Sequence, residues 1–433
     1  MRISLSRLLI AVFSITALSA CDSGGGGSSK SAYVRLLNVS PGYESLDLYV
    51  DNQNNDDGET SALEGVALGT VSDYAKIKSG TYTFKFKRNG VSGTLQTTAD
   101  QKLTDDSHTA YVGYGSSSHF GTLSIGEDVD KPDDGDTYVR VLNAAEGVGT
   151  LNVYFTEASV ALDNVSADFS GVGTGSRTMD SGTYRLRITG SDTDDVRLDV
   201  PEVTLENRSV VTLILTATDG GVLVNAMLLP QGGSLTSIKN TKARIRGAVG
   251  ISNGAMTSIR VGGSTLFSNA TAGAIGSSYA QIDAGSVAVS LTVDGNSVAI
   301  PNQTLTAGGD YTLLAWNDTS GTHATLITDD NRLPSGSGKA KLRLINGMSG
   351  FGDPLSLSID YSPISEGVAL GESSTSSEVD GGTDFQIDVY SSLTTTNVLT
   401  KTSITLQSAT VYTMFLAGSA SSSQVSGILR KDR

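Results

Sequence analysis

The side chains best suited to acid–base or nucleophilic chemistry are few in this sequence and widely separated. Among 433 residues there are three histidines, His108, His119 and His323, and one cysteine, Cys21. His108 and His119 flank a predicted strand around residues 111–114, whereas His323 belongs to a later part of the chain. Such a set cannot supply a repeated nucleophile, base and orienting acid. A lone cysteine also excludes an intramolecular disulfide and a cysteine-ligated zinc site.

Two short segments match known catalytic loops only in part. Residues 250–254 (GISNG) fit the pattern G-x-S-x-G, but a nucleophile elbow lies between a strand and a helix, and strands are predicted on both sides here. Residues 336–339 (GSGK) are followed by Ala340, where a phosphate-binding loop needs Ser or Thr. We therefore interpret the first segment as a turn and the second as a linker.

Carboxylates are the abundant functional groups, and two acidic stretches have spacings that suit calcium. The first, residues 53–64, resembles an EF-hand loop in spacing but has Gln53 in place of the first Asp; its candidate ligands are Asn55, Asp57 and Glu64. The second lies between two repeated units, where calcium stiffens other sandwich arrays; its candidate ligands are Asp128, Asp130 and Asp134. The alternative is that both are solvated acidic loops that oppose aggregation. Apart from this calcium hypothesis, we expect no cofactor.

Two kinds of polar-phase residue recur on predicted strands. Tyr49 and Tyr154 fall between core positions and are predicted to be exposed, where aromatic rings can contact sugars or partner proteins. An arginine recurs on the opening strand of each unit, and we interpret it as a structural ion pair or as protection of an edge strand: Arg35, Arg140, Arg246 and Arg343.

Composition narrows the class of protein. The chain has 50 Gly, only 17% charged residues and a formal net charge of −15. Abundant turn-formers argue against a helical bundle. A nucleic-acid partner is excluded because binding to phosphate backbones requires a basic surface.

The chain contains four copies of one unit of about one hundred residues. The string YVRLLN at residues 33–38 returns as YVRVLN at 138–143, as LRLIN at 342–346 and more weakly as RIRG at 244–247. The glycine of S-G-T-Y at residues 79–82 and a later leucine recur with the same period. These anchors predict four repeats, at residues 32–129, 136–231, 240–333 and 339–431.

Each unit is predicted to consist of short strands. Apolar residues alternate with polar ones, as at Leu46, Leu48 and Val50, which is typical of half-buried antiparallel strands. Turn-forming pairs such as residues 294–295 (DG) mark hairpins. About seven strands per unit predict an all-β chain of tandem immunoglobulin-like antiparallel β-sandwich domains. Tyr311 and its counterpart Tyr412 would then either form tyrosine corners or simply pack in the core.

The N-terminus resembles that of a bacterial lipoprotein. A basic start and 13 apolar residues, 8–20, are too short to span a membrane but suit a secretory signal, and residues 18–21 (LSAC) resemble a lipobox. The resemblance implies a signal peptide at residues 1–20, acylation of Cys21 and a Gly/Ser tether at residues 21–31. We expect a lipid anchor in the bacterial cell envelope, with the outer membrane or cell surface favoured, and the periplasmic face of the inner membrane left open by Asp22.

The repeats resemble a known family. The opening AYVRLLNVS at residues 32–40, with LDLYVD at 46–51 and SGTY at 79–82, is similar to domain of unknown function 4397, whose opening reads A-x-V-R-V-V-H-A-S. Asn38 and Asn143 stand where that family has His. The resemblance implies tandem domains in secreted or lipid-anchored bacterial proteins, and it implies no activity.

These observations favour a protein that is not an enzyme. We expect noncatalytic binding, adhesion or scaffolding, with the membrane contacted through the lipid and a glycan or an envelope protein as partner. Two alternatives stay open: a carboxylate-based enzyme that acts on glycans, which needs two acids about 5 to 9.5 Å apart in a cleft, and a periplasmic accessory subunit of an envelope complex.

Overall fold

The computed structural model describes residues 30–53, 58–191, 193, 195–251, 254–419 and 424–433. Within these ranges every regular element is a β-strand. The same ranges include no helix that is long and apolar enough to cross a membrane. The signal peptide, Cys21 and most of the tether lie outside the described residues.

The strands group into four β-sandwiches, named here sandwich 1 to sandwich 4. Sandwich 1 comprises β1 (Ser31–Asn38), β2 (Ser45–Asn52), β3 (Glu59–Ala67), β4 (Thr70–Val71), β5 (Ala75–Lys78), β6 (Gly80–Arg88), β7 (Thr94–Thr97), β8 (Gln101–Leu103), β9 (His108–Gly115) and β10 (Phe120–Gly126). Sandwich 2 comprises β11 (Asp136–Ala144), β12 (Leu151–Thr156), β13 (Phe169–Val172), β14 (Thr174–Asp180), β15 (Gly182–Gly190), β16 (Val196–Leu205), β17 (Ser209–Ala217), β18 (Val224–Pro230) and β19 (Thr236–Ile238).

The second half of the chain repeats this order. Sandwich 3 comprises β20 (Lys242–Val249), β21 (Thr257–Val261), β22 (Ser264–Ala270), β23 (Ala280–Asp283), β24 (Gly285–Val287), β25 (Val289–Val293), β26 (Asn296–Val298), β27 (Gln303–Leu305), β28 (Asp310–Asp318) and β29 (Gly321–Asp329). Sandwich 4 comprises β30 (Lys339–Gly347), β31 (Leu355–Ile359), β32 (Ser362–Val368), β33 (Ser377–Asp380), β34 (Gly382–Ser391), β35 (Asn397–Leu406), β36 (Val411–Ser419) and β37 (Gln424–Lys431).

Each sandwich has two main sheets that face each other around its own apolar core, as the repeat pattern predicts, and in sandwich 3 the strands β24 and β27 form an additional two-stranded sheet. The opening sheet contains the opening strand, in the orders β10-β9-β1-β4, β14-β11-β17-β18-β19, β23-β20-β28-β29 and β33-β30-β36-β37. The outer sheet has the orders β3-β2-β6-β7, β13-β12-β15-β16, β22-β21-β25-β26 and β32-β31-β34-β35. Pairing is antiparallel with one recurrent exception: each opening strand pairs in parallel with a strand near the end of its unit.

The opening sheets are buried on both faces, which differs from the half-buried strands that the alternation predicts. A second apolar cluster joins the opening sheets of sandwiches 1 and 2 through residues such as Leu37, Val112 and Ile214. Another joins those of sandwiches 3 and 4 through residues such as Leu314 and Phe415. The four sandwiches therefore form two face-to-face pairs.

The recurrent arginines lie at these paired faces. Because the opening strand has a neighbour on each side, it is not an edge strand, and edge protection is the wrong interpretation of Arg35 and its counterparts. Arg35 forms an ion pair with Glu127 and donates Nη1 to the carbonyl of Gly233 in sandwich 2, at 2.7 Å. Arg140 donates to the carbonyl of Gly126 in sandwich 1, at 2.6 Å.

Two tyrosines support the expected corner geometry. The hydroxyl of Tyr311 accepts the backbone N–H of Thr306 at 2.9 Å. The hydroxyl of Tyr412 accepts that of Gln407 at 3.0 Å. Both residues therefore tie a strand back to the preceding loop, as a tyrosine corner does.

Candidate functional site

The calcium hypothesis finds no assembled site in the described residues. Asn55 and Asp57 lie outside them, and Glu64, Asp128, Asp130 and Asp134 are exposed. The Asp128 carboxylate accepts the backbone N–H of His108 at 2.7 Å, and the Asp134 carboxylate accepts an amide N–H of Asn207 at 2.8 Å. No three His, Cys, Asp or Glu side chains within the described ranges lie together as ligands for a metal ion.

The histidines do not form a catalytic relay. His108 stacks on Tyr33, with ring centres 4.7 Å apart, and its Nδ1 lies 2.9 Å from Asp128 Oδ1. His323 brings together a Ser, a His and an Asp in an exposed turn, but Ser320 Oγ and Asp318 Oδ1 both contact the same ring nitrogen, Nε2, at 3.0 Å. A triad needs one partner on each nitrogen, so this arrangement stabilises the turn.

A buried ionic cluster lies between sandwiches 3 and 4. Arg246 forms an ion pair with Asp432 and Arg343 with Asp329, and all four side chains are at least 97% buried. Tyr279 donates its hydroxyl to Asp329 Oδ2 at 2.7 Å, and burial raises the pKa of this tyrosine well above its ordinary value. Because this cluster is closed to solvent, it holds the pair together and offers no access to a substrate.

The two tyrosines predicted as a binding surface lie at equivalent positions on outer sheets but differ in surroundings. Tyr49 is half-buried, with Lys87 Nζ 4.1 Å from the centre of its ring. Lys85 lies 3.1 Å from a carboxylate oxygen of Asp51 and 3.1 Å from one of Glu59. Tyr154 is only 7% exposed. The expectation of exposed rings is therefore wrong for Tyr154, since a loop covers that face.

The covering loop is an insertion in sandwich 2. Residues 157–168 connect β12 to β13, whereas the same connection has two residues in sandwich 3, Gly262 and Gly263, and two in sandwich 4, Asp360 and Tyr361. Asp168 holds the end of the loop, because its backbone N–H donates to Val153 O at 2.9 Å and its Oδ2 accepts the N–H of Phe155 at 2.8 Å. We refer to residues 157–168 as the cover loop.

The cover loop and the outer sheet of sandwich 2 form the two walls of a groove of about 540 Å³ that is open to solvent. Its floor follows a row across three strands: Tyr154 on β12 is opposite Arg187 on β15, and Arg187 is opposite Asp199 on β16. These residues share the phase that points away from the core, because Leu186 and Ile188 occupy the core phase. Polar residues of the cover loop line the opposite wall: Asp163, Asn164 and Ser166.

On the groove floor, two arginines lie near one carboxylate, and only one of the arginines forms an ion pair with it. Arg185 takes both oxygens of Asp199, with Nε 2.8 Å from Oδ1 and Nη2 2.6 Å from Oδ2, and donates Nη1 to Ala158 O in the cover loop at 3.1 Å. Arg187 is 4% exposed, and within the described residues its guanidinium makes one hydrogen bond, from Nη2 to Thr156 Oγ1 at 2.6 Å. Its buried Nε has no partner there. Burial lowers the pKa of Arg187, and the neighbouring charge of Arg185 lowers it further.

Sequence reasoning singled out Tyr154 but missed Arg185, Arg187 and Asp199. Their positions were readable in part, because Arg185 and Arg187 alternate with core residues along β15 and so must share one face. The pairing of Arg185 rather than Arg187 with Asp199 depends on side-chain reach across the sheet, which no sequence pattern contains.

Comparison with known proteins identifies a family and only distant folds. The family model for the domain of unknown function DUF4397 matches residues 32–154 and 243–353. No curated protein matches the sequence.

Three solved structures have some similarity. The Eubacterium rectale Amy13K module CBMbc, of family CBM26 and solved with maltoheptaose, is 13% identical, with 46% of this chain and 96% of that chain covered and a TM-score of 0.16. The Bacillus anthracis TIE protein is 8% identical, with 90% and 69% covered and a TM-score of 0.14. A proposed cell adhesion protein of Bacteroides fragilis is 12% identical, with 68% and 97% covered and a TM-score of 0.13. These scores are too low to indicate a shared function.

Proposed function

The chain belongs to the DUF4397 family, whose description assigns no function, and from the groove of sandwich 2 we propose that it is a noncatalytic ligand-binding protein of the bacterial cell envelope. The observation that carries the proposal is the buried Arg187, whose guanidinium has a single hydrogen bond to the part of the chain that the structure describes, in a groove covered by the cover loop. Ligand pockets characteristically combine a concave shape with a few convergent polar groups.

The ligand that suits this groove is a saccharide. The hydroxyl of Tyr154 has no hydrogen-bond partner among the described residues, and Asp163, Asn164 and Ser166 place further polar groups on the facing wall. A hydroxyl-rich ligand can bond to all of these groups. The floor side chains, including Asp199 on the edge strand β16, project from the face of the sheet, so a ligand in the groove would contact side chains rather than extend the backbone ladder.

The geometry argues against the enzymatic alternative. A carboxylate-based glycosidase needs two carboxyl groups that are free to act on the scissile bond. Both oxygens of Asp199 are engaged by Arg185. Asp163 is the other carboxylate among the described residues that line this groove.

The remaining sandwiches act as support in this proposal, and the N-terminus acts as the anchor. Acylation of Cys21 would hold the protein on a bacterial membrane, with the outer membrane or cell surface favoured over the inner-membrane face. Protease added to intact cells, with permeabilised cells as the control, tests this placement: degradation of the folded body on intact cells supports surface display, and protection until permeabilisation supports the periplasm.

Replacement of the cover loop tests the groove. Exchanging residues 157–167 for Asp-Gly leaves sandwich 2 a three-residue connection that keeps Asp168, close to the two-residue connections of sandwiches 3 and 4. We expect the purified full chain to keep its melting temperature and to lose binding to a panel of neutral and acidic oligosaccharides. Unchanged saccharide binding by this variant, or no binding by the parent chain, contradicts the proposal.

A further inference from the structure

The groove of sandwich 2 differs from the equivalent face of sandwich 1 in its charge balance. On sandwich 1, Lys85 and Lys87 are matched by Asp51 and Glu59, which lie within 3.1 Å of them. Around Tyr154 on sandwich 2, Arg185 and Arg187 face one floor carboxylate, Asp199, and Arg185 takes both of its oxygens. A cation that is 96% buried without a carboxylate partner is costly, because its hydration is lost without compensation.

The position of Arg187 suits a ligand charge. It lies directly opposite Asp199 across the β15 and β16 ladder, yet the ion pair of Asp199 goes to Arg185 at the diagonal position. Among the described residues, the Arg187 Nε has no hydrogen-bond partner, and Arg187 lies in the floor of the groove beside Tyr154. A guanidinium presents its N–H groups in a planar fork, and a carboxylate can accept two of them side by side.

The rest of the molecule limits the charge that the ligand can carry. The chain has a formal net charge of −15, and Asp163 stands on the wall of the groove. A polyanion would be repelled by both. A single carboxylate on an otherwise neutral, hydroxyl-rich ligand matches one unpaired arginine among neutral polar groups.

We propose that the groove of sandwich 2 selects an acidic saccharide, with the carboxylate of a uronic acid residue bound to Arg187 beside Tyr154. This inference rests on the proposed saccharide-binding function and adds the substrate class. Binding of the sugar makes and breaks no covalent bond. The carboxylate of the sugar replaces the water that Arg187 lost when the sheet folded.

Calorimetric titration of the purified full chain tests the inference. The probes are a trisaccharide with one glucuronate residue and the same trisaccharide with glucose in its place. We expect the acidic sugar to bind at least about tenfold more tightly, since a hydrogen bond to a charged partner contributes more than a neutral one. Arg187→Gln should remove that preference and leave the melting temperature unchanged or higher, because an unpaired buried charge is removed. Lys85→Gln, at the matched position of sandwich 1, should keep the preference.

The outcomes separate the two levels of the proposal. Equal affinity for both sugars, or a preference that survives Arg187→Gln, overturns the acidic class while the saccharide-binding function stands. Binding of a peptide through its terminal carboxylate, with neither sugar bound, overturns the saccharide class. A lower melting temperature in Arg187→Gln than in Lys85→Gln contradicts the unpaired state of the arginine.

Discussion

Arg343 of sandwich 4 forms an ion pair with Asp329 of sandwich 3, with 2.7 Å between Nη1 and Oδ1, and solvent reaches 3% of one side chain and none of the other. In the reciprocal ion pair, Arg246 of sandwich 3 contacts Asp432 of sandwich 4. In sandwiches 3 and 4, the arginine of each opening strand is therefore neutralised by an aspartate at the end of the other sandwich. Two separate cores are coupled through a charge pattern that is reciprocal across their interface.

Removal of one charge from this cluster should destabilise the pair strongly. In Asp329→Asn, Arg343 stays buried without its carboxylate, and we expect a loss of about 3–5 kcal/mol in the free energy of unfolding. The control is Asp380→Asn, which removes an exposed partner of Lys339, 2.7 Å away, and should cost less than about 1 kcal/mol. Urea unfolding of both variants measures the difference, and equal costs would refute the coupling.

The same carboxylate should make stability depend on acid pH. Burial acts to raise the pKa of Asp329, but the charges of Arg343 and Arg246 outweigh it, and the pKa lies below its ordinary value. A carboxyl with a lowered folded-state pKa stabilises the fold above its unfolded pKa of about 3.9, and this contribution is lost as the pH falls through the folded value. The stability gap between the parent chain and Asp329→Asn should therefore shrink below about pH 4. A constant gap down to acid unfolding would contradict the assignment.

A glycine at the meeting point of sandwiches 3 and 4 allows their backbones to approach. A Cβ on Gly250 would lie 2.5 Å from the carbonyl oxygen of Gly347, which belongs to the opening strand of sandwich 4. Gly250→Ala should cost about 1–3 kcal/mol, because a backbone must shift. Gly352→Ala is the control, since no atom lies within 4 Å of its added Cβ. Thermal unfolding that ranks the two variants equally would show that this close approach is unimportant.

The tyrosine corners should each contribute a measurable hydrogen bond. Tyr311→Phe leaves the N–H of Thr306 without its acceptor and should cost about 1 kcal/mol, as should Tyr412→Phe. Tyr361→Phe is the control because that side chain is 79% exposed. Chemical denaturation measures the free energy of unfolding of the three variants. If Tyr311→Phe is as stable as the parent chain, the hydrogen bond of the corner does not stabilise the fold.

The proposed lipid anchor depends on one atom, the thiol sulfur of Cys21. Cys21→Ser should move the protein from the membrane fraction to the soluble fraction, because no acyl chain can be attached. Ser23→Ala, two residues further along, should leave the distribution unchanged. Immunoblotting of the two fractions measures the distribution. If Cys21→Ser stays in the membrane fraction, the protein must be attached by another means.

The sequence predicts the fold of each unit well because alternation and turn residues are local. Asp294 and Gly295, with φ of +50° and +80°, form the two-residue turn that their types predict. Asp219 and Gly220, in contrast, belong to a longer loop between β17 and β18. A Cβ on Gly220 would lie 2.5 Å from the backbone N of Asp310 in sandwich 3, so the glycine reflects a close approach between sandwiches rather than a two-residue turn.

The pairing of sandwiches and the groove were harder to predict, for related reasons. The apolar run of β17, from Val210 to Leu215, indicates a strand that is buried on both faces, but nothing in it identifies what covers the second face. At the groove, Tyr154 has the phase of an exposed residue, and the cover loop that buries it has no regular pattern. Long-range packing decides both cases, and a one-dimensional pattern does not contain it.

Because the opening sheets are paired, two adjacent sandwiches depend on each other for cover. Sandwiches 1 and 3 share a Ser-x-Tyr-Ala segment, and its tyrosines, Tyr74 and Tyr279, both donate to the acid next to the recurrent arginine. Both regions that match the family model start in an odd-numbered sandwich and continue into the next. Loss of one sandwich would leave its neighbour with an uncovered apolar sheet. The doublet, rather than the single sandwich, is therefore the unit that can be added or removed without exposing an apolar sheet.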